Sequence, residues 1–343
     1  MDRYNEHKEE IRGRPRDQAG YCPLYPERES PRPHPFRCAG RADLYGRIED
    51  DFDLQVYDMD KTKVIMIPSC YEGEFCRVAD TFWYESPCAE RCVKTCFAYE
   101  YIGEHHPRLA RYAGREPWTA LPLLERPSGP PLCNFLGEHY DTIYFEHGDT
   151  EVCRPRPEYL PLMYQWTLQA LSAISFSHSR GIIVGYFEMG NFWLSSDLSL
   201  SFIGFVSASF NNGKEQYEND IQGRPPFNPF HGLEEDISGN FQTTVATDLF
   251  VYATFLHLLL TGGWPEGDGG DAEEMIANRQ WPRLEKQYFG EILVKCWEFQ
   301  YKDAQELKAD IVHVLRSEGW EVEGEDTLKS FDASTLPERH FRA

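Results

Sequence analysis

The spacing of hydrophobic residues predicts strands in the first part of the chain. Apolar and polar residues alternate in DFDLQVYDMD, and KTKVIMIP is a short apolar run closed by a proline, so both segments are predicted strands. Apolar residues then recur at helical spacing from Ala89 to Glu104, and this helix should end near Gly103. The segments HHPRLARYAGRE and WTALPLLERPSG are predicted to be two further short strands. Together these elements predict a small α+β unit.

The periodicity becomes mainly helical from about Tyr159. EYLPLMYQWTLQALSAISFSHSRG is predicted to be one long helix that ends at Gly181. A two-strand hairpin, NFWLSSDLSLSFIGF, follows and turns at Ser195-Ser196-Asp197. After a polar stretch rich in Gly, Pro and Asn (211–240), the pattern predicts four more helices in TDLFVYATFLHLLLTG, DAEEMIANRQ, FGEILVKCWEFQ and DAQELKADIVHVLRSEG.

The two ends of the chain differ from this pattern. Residues 1–40 mix charge with repeated prolines and are predicted to form a disordered arm, and residues 321–343 are predicted to be a loose, charged tail. The net charge of −22 disfavours nucleic acid and anionic membranes as partners. The first residues are charged, and the longest apolar run, Leu249 to Leu260, is too short to span a bilayer. We therefore expect an intracellular protein, cytoplasmic or nuclear.

Ten cysteines are present, without a C-x-x-C pair. Cys88, Cys92 and Cys96 share one face of the predicted first helix because they are four residues apart. Free cysteines commonly behave as small buried hydrophobic residues. We predict buried thiols here, with a metal or redox site as the alternative.

The order of these elements and several local motifs resemble a eukaryotic protein kinase. HSRGII followed by VGYFEMGN resembles the catalytic loop H-R-D-x-x-x-x-N, with Asn191 five residues after Tyr186. Thirteen residues further, Gly204-Phe205-Val206 stands where such kinases have D-F-G. KVIMIP resembles the strand that carries the ATP-binding lysine, LPLLERPSG a hinge, and TDLFVYATFLHLLLTGGWP the large central helix. The resemblance covers about residues 43–315.

The resemblance implies a bilobal α+β fold. The N-lobe (41–125) would be small and β-rich with one helix, and the C-lobe (126–320) would be larger and helical. The short motifs NF-L-L, T-D-L-F and K-C-W are most similar to those of divergent protein-kinase-domain proteins of filamentous fungi. An unrelated α+β domain is the alternative.

The matching positions lack the groups that phosphoryl transfer requires. The catalytic base falls at Tyr186, preceded by Val184 and Gly185 at the His and Arg positions. A phenol has a pKa near 10 and is protonated at neutral pH. The D-F-G metal ligand falls at Gly204, which has no side chain, and the phosphate-binding lysine falls at Met66, an apolar thioether. The resemblance therefore implies a domain that has lost its catalytic residues.

The charged and polar residues near these positions do not replace the missing lysine, metal ligand and base. Lys63 is three residues before Met66 and so faces the other side of the strand. The first helix has no acid between Glu90 and Glu100, which leaves Glu100 as an offset match to the lysine's partner. No glycine-rich phosphate loop precedes Met66, and Asn191 alone is a poor Mg²⁺ site.

Four other residues have roles implied by the resemblance. Glu188 is the only nearby carboxylate in the loop and is the candidate substitute base, although a solvated turn acid is the simpler interpretation. Asp248 matches the central-helix Asp that binds the catalytic-loop backbone, with helix N-capping beside Thr247 as the alternative. Phe205 should fill the hydrophobic site of the D-F-G Phe, and His178 should be a packed histidine.

These observations predict a catalytically dead protein-kinase-like domain, a pseudokinase, that binds protein partners as a scaffold or regulatory module. We expect no cofactor, no metal and no nucleic-acid or membrane partner. One alternative is an active serine/threonine kinase with non-standard residues. Another is metal-independent, weak ATP binding in a degenerate cleft. The cleft would be formed by Met66, Leu124, Glu125, Asn191, Gly204 and Phe205.

Overall fold

A five-stranded sheet and one helix make up the first part of the chain in the computed structural model. The structure describes residues 37–38, 54–68, 87–116, 121–145, 153–185, 187–213, 215–217, 243–263, 275 and 278–336. The strands of this sheet are β1 (Arg37–Cys38), β2 (Leu54–Asp58), β3 (Lys63–Pro68), β4 (Tyr112–Arg115) and β5 (Pro122–Glu125). All neighbours are antiparallel, in the order β1-β2-β3-β5-β4. The four strands predicted from the sequence are confirmed.

Helix α1 (Pro87–Ile102) packs against β3, β4 and β5 of this sheet. It ends at Gly103, whose φ of +68° is a left-handed conformation that glycine adopts without steric cost. The predicted helix and its end are therefore confirmed. Strand β1 belongs to the segment predicted to be a disordered arm, so the arm's last residues add a short edge strand; residues 1–36 lie outside the described chain.

Helices dominate the second part. They are α2 (Leu132–Glu138), α3 (Tyr140–Ile143), α4 (Leu160–Ser179), α5 (Val245–Thr261), α6 (Gly290–Trp297) and α7 (Ala304–Ser317). The short strands β6 (Tyr144–Phe145) and β7 (Arg154–Pro155) pair between α3 and α4. The predicted helices at α4, α5, α6 and α7 are confirmed, whereas most of the helix predicted for DAEEMIANRQ lies outside the described residues.

A hairpin follows α4, as predicted. A 3₁₀ turn (Met189–Asn191) leads into β8 (Phe192–Leu194), which pairs with β9 (Leu200–Phe202). Asp197 accepts a hydrogen bond from the Ser199 N–H and closes the turn. A smaller hairpin, β10 (Phe210–Asn211) with β11 (Gln216–Tyr217), lies in the stretch predicted to be irregular. Residues 218–242 lie outside the described chain.

A column of aromatic rings connects the first helix with the helical part. The Phe205 ring lies 5.1 Å from that of Tyr99 in α1 and 5.3 Å from that of Phe202. Phe202 in turn stacks on Phe187 at 5.6 Å, and Phe187 lies 5.3 Å from Phe255 in α5. These contacts join the end of β9 to both parts of the structure, so the segment around Gly204 is held from two sides.

The described part of the predicted C-terminal tail, residues 321–336, is packed rather than loose, and residues 337–343 lie outside the described chain. Strands β12 (Val322–Glu323) and β13 (Thr327–Leu328) form a hairpin, and a 3₁₀ turn (Ala333–Thr335) follows. Leu328 is only 1% exposed. The sequence predicted a loose tail because the few apolar residues that anchor the segment are scattered among charged residues without a helical or strand period.

Cys92 and Cys96 are fully buried in α1. Burial raises the pKa of the Cys96 thiol to about 12, so it is protonated at neutral pH. Among the residues that the structure describes, no group of three or more His, Cys, Asp and Glu side chains could hold a metal ion. The described helices also include none with the length and apolar character needed to cross a membrane.

Acidification is expected to weaken the fold through His257. This side chain is fully buried in α5, and burial lowers its pKa to about 3, with the charge of Arg154 acting in the same direction. An unfolded histidine titrates near pH 6.5, so the unfolded chain binds more protons below that pH. The stability that neutral His257 contributes is therefore present above about pH 6.5 and is lost as the pH falls towards its folded pKa.

The check is denaturant unfolding of the wild type and His257→Gln between about pH 6.5 and 4. The variant should show a smaller loss of unfolding free energy over this interval. Replacement of the exposed His313 by glutamine serves as the control. An unchanged pH dependence in His257→Gln would contradict the assignment.

The described elements thus form a mixed α+β structure that is compatible with a kinase-like fold.

Candidate functional site

A buried aspartate in the first turn of α5 holds the backbone that precedes Tyr186. Asp248 Oδ2 accepts the N–H of Val184 at 2.7 Å, and Oδ1 accepts the N–H of Gly185 at 2.8 Å. His178, in the last turn of α4, places its Nε2 2.8 Å from Asp248 Oδ2. Asp248 is 3% exposed, so these contacts offset the cost of burying its carboxylate.

Asp248 does not cap the helix. Thr244 occupies the N-cap of α5 and forms a capping box with Thr247, in which each side chain accepts the other residue's backbone N–H. Of the two roles that the sequence allowed for Asp248, the structure has the backbone contact to residues 184 and 185. Tyr186, the predicted position of the missing base, lies outside the described residues.

Met66 and Gly204 meet in the interior, although they are far apart in sequence. Met66 in β3 is 0% exposed. A Cβ atom added to Gly204 would lie 2.9 Å from Met66 Cε and 3.6 Å from its Sδ. A Cβ at 2.9 Å is closer than real Cβ contacts, so a side chain at position 204 would have to displace the terminal methyl of Met66. The two positions that matched a lysine and an aspartate form one apolar contact.

Thr95 in α1 contacts the same segment and was not predicted from the sequence. Its Oγ1 accepts the Phe205 N–H at 3.2 Å, and Thr95 is fully buried. Its Oγ1 would also lie 3.9 Å from a Cβ at Gly204. Nothing in the pattern around Thr95 distinguishes it, because a small threonine inside an apolar helix is common. Phe205 itself is fully buried between α1 and β9, in a hydrophobic site.

The carboxylate of Glu100 in α1 binds two side chains of strand β4. Its oxygens accept from Arg115 Nε at 2.7 Å and Nη2 at 2.8 Å, and Oε1 also accepts from the Tyr112 hydroxyl at 3.0 Å. Arg115 also lies over the Phe97 ring at 4.3 Å. Glu100 thus helps to hold α1 against β4. Lys63 begins β3 opposite Glu125 and is half-buried.

Asn191 and Glu188 bind one another in the 3₁₀ turn. Asn191 Oδ1 accepts the Glu188 N–H at 2.9 Å, and the Glu188 side chain accepts the Asn191 N–H. This reciprocal pair is a capping box, and Asn191 is buried. The amide oxygen of Asn191 therefore has a structural partner, and Glu188 contributes to the shape of the turn.

In the segment that resembles a hinge, several backbone N–H groups donate to carbonyls of other parts of the protein. Glu125 donates its N–H to Arg111 O, Arg126 to Thr62 O and Gly129 to Leu194 O. Pro127 has no N–H. Leu124 is fully buried in β5, whereas Glu125 is exposed and pairs with Arg111 at 3.5 Å.

Trp193 is a second feature that sequence analysis did not single out. Phe192 faces the helical core, where it lies 5.2 Å from Phe255, so Trp193 should face the opposite side of the hairpin. Its backbone bridges to Pro131 in the linker between β5 and α2 (residues 126–131), and Trp193 is 1% exposed. Its indole N–H is buried without a hydrogen-bond partner in the described chain. The region between hairpin and linker is thus filled by a large side chain.

Comparison with known proteins gives partial similarity to protein kinases. No protein-family model matches the chain. The serine/threonine-protein kinases kin-29 of Caenorhabditis briggsae and of Caenorhabditis elegans are each 27% identical to the chain, over 103 and 101 residues. These matches cover 30% and 29% of this chain and only 12% of each relative. The similarity supports a kinase-like domain.

Proposed function

We propose that this protein is a bilobal, kinase-like module without phosphotransfer activity that acts by binding protein partners. The observation that carries the proposal is the contact between Met66 and Gly204. Transfer of a phosphoryl group relies on cations and carboxylates that position the phosphates and the metal. A thioether packed against a glycine at these matching positions supplies neither.

The residues present do not fit a magnesium ion. Mg²⁺ prefers about six oxygen ligands in near-octahedral geometry. Gly204 has no side chain, Met66 has no oxygen, and the Asn191 amide oxygen accepts the Glu188 N–H. The positions that match the metal ligands of a kinase therefore offer Mg²⁺ no ligand set.

A binding role accounts for what the chain retains. Asp248 still holds the backbone of residues 184 and 185, and Phe205 is still packed between α1 and β9. These contacts support the architecture of a kinase-like domain and do not themselves require catalysis. We propose an N-lobe at 41–125 and a C-lobe at 126–320, in an intracellular protein related to divergent fungal kinase-domain proteins. The net charge of −22 favours a protein partner over nucleic acid or an anionic membrane.

The purified protein should show no thermal stabilisation by ATP with Mg²⁺. A ligand that binds the native state raises its stability in proportion to the logarithm of its concentration over Kd. The measurement is the unfolding temperature with ATP–Mg²⁺, with ATP plus EDTA, and without nucleotide, beside an active serine/threonine kinase as the positive control. A shift of several degrees that EDTA reverses would contradict a cleft that cannot hold metal. A shift unaffected by EDTA would favour metal-independent nucleotide binding instead.

Transfer of the radiolabelled phosphate from ATP to a generic protein substrate should remain at the background level. Glu188→Gln is the matched variant because Glu188 is the nearest carboxylate in the loop, and the capping contact of its side chain can be retained by an amide oxygen. Incorporation that disappears in Glu188→Gln would support the active-kinase alternative. Equal background counts in both proteins agree with the proposal.

A further inference from the structure

The C-terminal segment, residues 320–336, is hydrogen-bonded to helix α4 through Gln165, which contacts the turn and the second strand of its hairpin. Gln165 Nε2 donates to the Asp326 carbonyl, and Gln165 Oε1 accepts the Leu328 N–H at 2.9 Å. Gln165 is buried, as is the Leu328 side chain. The hairpin is therefore docked on α4 by specific, buried hydrogen bonds.

The same hairpin binds the loop that leads from α1 to β4. Arg108 Nε donates to Asp326 Oδ2 at 2.8 Å, and Arg108 Nη2 donates to Asp326 Oδ1 at 3.0 Å. The two side chains are only 14% and 12% exposed. A bidentate, largely buried pair of this kind is stronger and more directional than an exposed ion pair.

The backbone of Arg108 continues directly to the candidate site. The Phe202 N–H donates to Arg108 O at 2.9 Å, and the Ala110 N–H donates to Phe202 O at 2.8 Å. Phe202 is the last residue of β9 and stands two residues before Gly204. The loop at 108–110 is therefore hydrogen-bonded to the strand that enters the Met66–Gly204 contact.

A direct ion pair between this loop and the residue that follows α4 is much more exposed than the Arg108–Asp326 pair. Glu104 pairs with Arg180, but these side chains are 49% and 43% exposed. His106 stacks on Phe176 with ring centroids 4.3 Å apart. Exposed ion pairs contribute little because water screens them and both side chains lose rotamer freedom.

We propose that the C-terminal segment is an intramolecular clamp. It holds the loop at 103–110 against α4 and thereby fixes both the end of α1 and the end of β9. Displacement of the clamp, by a partner or by a change of charge near Asp326, would loosen the segment around Gly204 from a distance. The clamp is a conformational device that stands whether or not the protein transfers phosphate.

Hydrogen–deuterium exchange of the full chain tests this coupling. Asp326→Asn removes the charge of one partner and leaves the side-chain shape. Peptides that cover 103–110 and 192–205 should exchange roughly tenfold faster, together with peptides from 320–328, because a charge-assisted bidentate contact is lost. Glu104→Gln is the matched control in the same loop and should leave exchange at 192–205 unchanged. Exchanging the two charges, in Arg108→Asp with Asp326→Arg, should restore much of the protection.

Faster exchange confined to 320–328 would overturn the proposal, as would an equal effect of Glu104→Gln. If Asp326→Asn unfolds globally, the wild type still gives an answer through native-state exchange at increasing denaturant. Residues 103–110 and 322–328 should then open as one cooperative unit, with the same dependence on denaturant. Two units with different dependences would refute the clamp.

Discussion

Replacing Asp248 with asparagine should lower the free energy of unfolding by about 3 kcal/mol, because a buried acceptor of several hydrogen bonds becomes mismatched. Both carboxylate oxygens accept backbone N–H groups, and Oδ2 also lies 2.8 Å from His178 Nε2. An asparagine offers one oxygen and one NH₂ group. Whichever way the amide is turned, a donor faces a donor at Val184 or Gly185, and neither can reach water.

Equilibrium unfolding in urea measures this loss, provided that the dependence on urea concentration is the same in both proteins. Asp310→Asn is the matched control. Asp310 is also a helical aspartate with two partners, Lys295 at 2.7 Å and the Tyr301 hydroxyl at 2.8 Å, but its side chain is 40% exposed. Its replacement should cost less than about 1 kcal/mol. Equal losses in the two variants would mean that burial of Asp248 does not decide its contribution.

The contact between Met66 and Gly204 should appear as a steric coupling in a double-mutant cycle. Met66→Ala should cost about 3 kcal/mol, since it removes a fully buried side chain and leaves a cavity. Gly204→Val should cost about 2 kcal/mol, because its branched side chain would have to displace Met66 Cε within a fully buried site. In the double variant the valine enters the cavity that alanine leaves, so the combined loss should be at least about 1 kcal/mol smaller than the sum.

The cycle needs only the unfolding free energies of the four proteins. Met59→Ala, at a partly buried methionine in the turn before β3, is the control for a general effect of losing a thioether. Combined with Gly204→Val, it should give a strictly additive loss. Additivity in the Met66 cycle as well would show that the two side chains do not share one space, and would remove the main support for a filled cleft.

Local elements were predictable because each depends on neighbours in sequence. The 16 residues of α1 end at Gly103, and the 20-residue α4 is followed by Gly181 with a φ of +71°, as the apolar spacing and the glycines indicate. The hairpin at Phe192–Phe202 follows from two short apolar runs around Ser195-Ser196-Asp197. The same local view missed the packed C-terminal hairpin, whose hydrogen-bond partners Gln165 and Arg108 are far away in sequence.

The candidate site shows the same difference between what local sequence specifies and what long-range packing specifies. The sequence by itself determined which chemical groups are absent from the matching positions: a thioether stands at 66 and no side chain at 204, whatever the fold. Only the tertiary structure decided that Met66 fills the space beside Gly204, that Thr95 accepts the Phe205 N–H, and that Asp248 binds residues 184 and 185 rather than capping its helix. These contacts join strands and helices distant along the chain. Their geometry is set by packing of whole elements, which periodicity and residue type do not specify.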